Sequence, residues 1–214
     1  MNFYKLSADV SNKYISVEKR LNESGEKQIN CLECGAPHYE INNTKDVQLL
    51  LFEKGRIFPD CMLIGYGSLL RLFSGKAIQV FQEAGLLNNL EIVKAELIAK
   101  PELKVPISEE NKYYYFVNAK GHAEFDYERM GLKPTSYCSV CGMPKVEKWP
   151  TSFKYTYLKE GSWDGNQFFL YNYCTENVLK AVYKNKLTGF TFQDLLISRD
   201  VFNLDKINLK NFFR

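Results

Sequence analysis

Two copies of one short pattern constrain this chain more than any other feature: Cys31-Leu-Glu-Cys34-Gly35-Ala-Pro37 and Cys138-Ser-Val-Cys141-Gly142-Met-Pro144. Both read C-x-x-C-G-x-P. Thiolates spaced this way can close on one side of a Zn²⁺ ion. Glycine after the second cysteine tolerates the positive φ of such a tight turn, and proline then fixes the outgoing strand. Two such turns supply the four sulfurs of a tetrahedral structural site. The expectation is that Cys31, Cys34, Cys138 and Cys141 share one structural zinc. Four-cysteine sites usually have about 15–20 residues between their pairs, whereas here roughly 100 intervene, and loop-closure entropy grows only with the logarithm of that length. The metal would therefore tie two halves of a larger body together instead of closing a small finger. Two other readings stay open. The turns can be separate structural features or a site that has lost its metal, or they can serve thioredoxin-like redox chemistry, although neither sits at a clear strand-to-helix junction.

At 214 residues the chain suits one large domain or two small ones and can bury a core. Its formal charge of +3 argues against nucleic acid as the main partner. The opening Met1-Asn-Phe-Tyr-Lys5-Leu shows no basic region leading into an apolar run, and no stretch approaches a membrane span. The expected location is the cytoplasm, where thiols stay reduced and clustered cysteines favour metal over disulfide. Cys61 and Cys174, each in an apolar run, read as buried small hydrophobes.

The patterning predicts an α+β fold. Strands are expected over 2–10, 90–97, 112–119, 167–173 and 190–197. Residues 46–53 suit a strand or a short helix, and 11–30 a loop or irregular hairpin. Ser74 should cap a helix carrying Ala77, Ile78, Phe81 and Ala84, closed by Gly85. Thr175 should cap a second helix carrying Val178, Leu179 and Val182, ended by Leu187-Thr-Gly189. The segment 101–110 reads as a connection. The halves, about 1–100 and 107–214, rhyme as strand, zinc knuckle, strand, helix, strand. Ser74 aligns with Thr175, Ile78 with Leu179, Phe81 with Val182 and Leu86 with Leu187. The expected architecture is one domain of two pseudo-repeated halves, joined by a zinc-ribbon-like site of four cysteines.

Catalytic signals are sparse, and the expectation is a non-enzyme. Of the two histidines, His38 can tune the metal from beside it, replace a cysteine, or simply face solvent. His122, with Glu124 and Asp126, reads as a solvated loop. Four thiolates leave zinc no open position to activate water. Gly65-Tyr-Gly67 lacks the lysine and spacing of a phosphate loop, and Asp164 reads as a turn residue. Lys133, Lys145, Lys148, Lys154 and Lys159, interleaved with aromatics, admit single-stranded nucleic acid, but Glu147 and Glu160 dilute them.

The double C-x-x-C-G pattern resembles the double-CXXCG-motif family of bacterial immunity proteins, of the swarming-inhibition toxin/immunity type. The similarity extends to Phe3-Tyr4-x-Leu6, Phe58-Pro-Asp60, Ala84-Gly85-Leu86, Trp163-Asp-Gly165, Phe169, Thr175-Glu-x-Val178 and Leu187-Thr-Gly189-Phe190. It implies a cytoplasmic immunity protein that binds one cognate toxin of a polymorphic or contact-exchanged system and blocks it. The alternatives are a zinc-ribbon nucleic-acid-binding or regulatory module, and a thiol-dependent enzyme.

Overall fold

Alternation of apolar side chains makes strands of most of the regular elements. In the computed structural model, which describes residues 1–20, 25–42, 47–52, 55–63, 71–99, 105–147, 156–170 and 172–197, the elements run in chain order as follows. The first half carries β1 (Phe3–Ala8), β2 (Ser16–Arg20), β3 (Gly25–Asn30), β4 (Pro37–Asn42), β5 (Val47–Phe52), β6 (Cys61–Met62), β7 (Arg71–Ser74), α1 (Gly75–Glu83) and β8 (Leu90–Ile98). The second carries β9 (Tyr113–Ala119), β10 (Ser136–Tyr137), β11 (Pro144–Lys145), β12 (Tyr157–Leu158), β13 (Phe168–Phe169), β14 (Tyr173–Thr175), α2 (Glu176–Lys184) and β15 (Phe190–Ile197). A short 3-10 turn, Glu109–Asn111, precedes β9. The fold is mixed α+β, mostly strands with two helices among the described residues. Neither helix is long and apolar enough to cross a membrane.

The strands form two larger sheets, of order β6-β7-β9-β8-β5-β2 and β13-β14-β1-β15-β12. Both ladders begin with three antiparallel pairings and continue with a parallel one, β8 with β5 and β15 with β12. The central strand of each sheet comes from the other half of the sequence. β9 lies between β7 and β8, with Leu72 opposite Phe116 and Val93 opposite the same residue. β1 lies between β14 and β15, with Phe3 opposite Thr175 and Leu195.

The two helices and the inner faces of both sheets share one core. Tyr4, Leu6 and Ala8 of β1 point into it, as do Val117 and Ala119 of β9, with Phe73, Ala77, Phe81, Phe168, Val178 and Val182. A strand's side chains alternate between faces, so the intervening residues serve other cores. Tyr114 and Phe116 pack with Val47, Leu49 and Leu51 outside the six-stranded sheet, and Phe3 packs with Leu158 and Phe169 outside the five-stranded one. Cys61 and Cys174 are fully buried in the shared core. Burial pushes both thiols up, that of Cys61 to about 12.

Ser74 caps α1 through its Oγ, which accepts from the Ala77 amide at 3.1 Å. Both helices end in the same hydrogen-bond pattern. The Leu86 amide donates to the Phe81 carbonyl at 2.8 Å and the Leu187 amide to that of Val182 at 3.0 Å. The residue before each is left-handed, Gly85 at φ 67° and Lys186 at φ 51°. Lys186 thus takes the place expected of Gly189. Gly189 serves a close approach instead, since a Cβ there would lie 2.5 Å from Pro59 Cβ and 2.6 Å from the Cys61 carbonyl oxygen. Thr175 occupies the cap position of α2 but its hydroxyl donates to Gln167 Oε1 at 2.6 Å.

Two segments differ from expectation. Residues 11–30 hold strands β2 and β3, the first led in by buried Ile15 and Val17. The expected strand over 167–173 is a hairpin of β13 and β14, broken where Leu170 takes φ 46°. Residues 46–53 resolve to a strand at Val47–Phe52. Gly65-Tyr-Gly67, Lys148, Lys154, residues 101–104 and the tail after 197 lie outside the described residues.

Candidate metal centre

Each C-x-x-C-G-x-P copy sits at the tip of a two-stranded ribbon, β3-β4 in one case and β10-β11 in the other. The two turns have the same backbone. The Gly35 amide donates to the Cys31 carbonyl and the Gly142 amide to that of Cys138, both at 2.9 Å. The Cys31 amide donates to the Ala36 carbonyl at 2.8 Å, and the Cys138 amide to that of Met143 at 2.9 Å. Gly35 and Gly142 lie at φ 70° and 71°, a conformation in which a Cβ is strained.

The tips meet. Cys31 Sγ lies 3.7 Å from Cys138 Sγ, and Cys34 Sγ lies 3.5 Å from Cys141 Sγ, each pair 107 residues apart in sequence. All four sulfurs fall within 4.8 Å of one another, and none is in a disulfide. Four thiolates around zinc, with Zn–S near 2.3 Å, stand about 3.8 Å apart in a regular tetrahedron. The donor set and its spacing therefore fit such an ion. Cys31 and Cys138 are buried, while Cys34 and Cys141 are half-buried.

The local field prepares the cluster for a cation. Amides of Cys34 and Glu33 aimed at the Cys31 sulfur hold its thiol down to about 6. The Met143 amide pulls Cys141 the same way, but desolvation and the neighbouring sulfurs outweigh it and push that thiol up to about 12. Cys31 ionises readily while Cys138 and Cys141 resist gathering like charge, a resistance that a bound cation removes.

Glu33, between the first two cysteines, reaches across to the other knuckle. Its Oε2 accepts from the Ser139 hydroxyl at 2.6 Å, the Ser139 amide at 3.1 Å and Cys138 Sγ at 3.3 Å. Its Oε1 accepts from Lys145 Nζ at 2.7 Å. Lys145, Ser139 and Cys138 together hold the carboxyl down to about 2. Sequence reasoning missed this latch because a lone Glu between cysteines carries no periodic signal.

The other candidates are dispersed. His38 falls in β4 opposite Ile29, and its side chain is not among those described. The exposed His122 donates its amide to Asp164 Oδ2 at 2.6 Å, and Asp164 Oδ1 accepts from the Asn166 amide, so Asp164 organises a turn. Asp126 Oδ1 accepts from the Arg129 amide. The four cysteines are the metal-competent group among the described residues. Within the basic stretch Lys145 pairs with Glu33 and Lys159 with Glu124, which lowers the positive charge those residues offer a phosphate backbone.

No protein-family model matches the chain, and no curated protein sequence matches it.

Proposed function

We propose that Cys31, Cys34, Cys138 and Cys141 hold one structural zinc, and that the metal-clamped chain is a cytoplasmic immunity protein. It binds a cognate toxin and blocks it without chemistry of its own. The observation that carries the metal assignment is the convergence of four thiols from sequence-distant turns of matching backbone, with sulfurs 3.5 and 3.7 Å apart across the knuckles. A divalent ion bound by four thiolates is coordinatively closed, so it rigidifies and does not activate water. The sequence resemblance supports the immunity role.

The same reading takes the chain as one domain of two pseudo-repeated halves around a zinc-ribbon-like centre. The common order of strand senses in the two sheets and the matched helix termini support it. Under it β1 corresponds to β9, so the two units exchange their first strands.

Two measurements test the proposal. Elemental analysis of purified protein should give one zinc per chain, lost on Cys34→Ser. Co-expression with the product of the adjacent gene, where that product arrests growth, should restore growth. A metal-free wild type with free thiols would end the zinc reading, and absence of growth protection would end the immunity reading.

A further inference from the structure

Exposed large apolar side chains are few among the described residues, and two of them stand at the knuckle tips. Leu32 is 101% exposed and Val140 68% exposed. Each belongs to a C-x-x-C loop, where the turn geometry requires no apolar residue. Glu33 and Ser139, bonded to one another across the knuckles, are their chain neighbours, so the two tips are adjacent. Beside them lies an open groove of about 860 Å³. Ala36, Met143, Pro144 and Val146 give it an apolar lining, and Glu33, Lys145 and Glu147 give it charge.

The charge of this face opposes that of the whole chain. A divalent ion in four thiolates leaves the cluster two charges negative. Among the described residues lining the groove, Glu33 and Glu147 add two more and Lys145 removes one, on a chain whose overall charge is +3. An acidic face with apolar tips repels nucleic acid and attracts a cationic protein segment.

We infer that the paired knuckle tips and the adjoining groove are a docking surface for a protein segment carrying large apolar side chains flanked by Lys or Arg. This rests on the metal-bound state proposed above. Leu32 and Val140 are the apolar anchors, since an exposed side chain gains the most from desolvation on binding. Glu147 supplies charge at the groove edge.

A library of short random linear peptides, selected on the zinc-loaded full-length protein, tests this directly. Selected peptides should be net positive and rich in large apolar residues. They should bind Leu32→Ser/Val140→Ser at least about tenfold more weakly and weaken further with Glu147→Lys and with salt. Both tip residues are exposed, so the double variant should keep its zinc and its melting curve. Acidic peptides, peptides that bind wild type and double variant equally, an empty selection, or tighter binding of single-stranded DNA would each overturn the inference. A toxin that the chain protects against separates it from the immunity reading. A toxin that binds but protects amides outside 31–36 and 138–147 from exchange refutes the docking surface and spares the immunity role. Peptides captured at the tips with no toxin binding do the reverse.

Discussion

Phe81 is the sharpest place to ask whether the halves form one cooperative unit. It lies on α1, in the first half, and is fully buried. Its ring centroid stands 5.5 Å from that of Phe73, 5.5 Å from Phe168 and 6.0 Å from Phe190. Two of these three partners belong to the second half. Phe81→Ala therefore opens a cavity shared by both sheets, at a cost of about 3–5 kcal/mol. For a chain of this size, each kcal/mol moves the melting temperature by roughly 2–4 °C, giving a fall of about 6–20 °C. Both tryptophans, Trp149 and Trp163, lie in the second half, so their fluorescence reports on the part that does not carry the substitution. The fluorescence midpoint should fall with the circular-dichroism midpoint, by the same amount. A fluorescence transition left in place while the ellipticity transition moves would refute the shared core.

Three further outcomes follow from contacts between distant segments. Gly189→Ala places a Cβ against Pro59 and the Cys61 carbonyl at φ 77° and should lower stability by about 2–4 kcal/mol, so an unchanged urea midpoint would show that these segments do not meet. Buried Asp60 accepts from Ser74 Oγ at 2.6 Å, the Thr188 amide at 2.8 Å and Thr188 Oγ1 at 3.1 Å. Asp60→Ala strands these donors and should cost about 2–4 kcal/mol, read by chemical denaturation with Asp60→Asn as the milder control. Burial pushes the Tyr173 hydroxyl from 10.0 up to about 12. A raised folded pKa means that its contribution is whole below pH 10 and is lost as pH climbs towards 12. Tyr173→Phe should flatten the alkaline loss of stability across that window, and an identical pH profile would contradict the burial effect.

What the sequence makes legible is what short range dictates. The two cysteine turns, the Ser74 cap, the stripe ending at Phe81 and the strand at Phe190–Ile197 all follow from neighbours a few positions apart. The identity of the four clustered thiols is readable because two turns repeat the same glycine and proline. The β2 strand is hidden because Ile15 and Val17 stand among polar residues and its partner β5 lies about 30 residues on, and β3, Gly25-Glu-Lys-Gln-Ile-Asn30, is too polar to show apolar alternation although β4 is its near neighbour. The hairpin break at Leu170 carries no glycine or proline to announce it. Lys186 at a helix terminus is similarly silent. Glu33 gains its meaning only when Ser139 and Lys145 arrive from the other half, and no local pattern encodes that meeting.

The placement of β1 dictates an order of assembly during synthesis. β9 can join β7 and β8 soon after it leaves the ribosome, so the six-stranded sheet closes from a continuous stretch of chain. β1 emerges first but finds its neighbours, β14 and β15, only when nearly everything described has been made. At ordinary elongation rates that wait is roughly 10–40 s. Throughout it, Phe3, Tyr4 and Leu6 sit on an unpaired strand open to chaperones and to other nascent chains. The last-formed sheet is thus the vulnerable one, and a slowed ribosome exposes the earliest of the described strands longest.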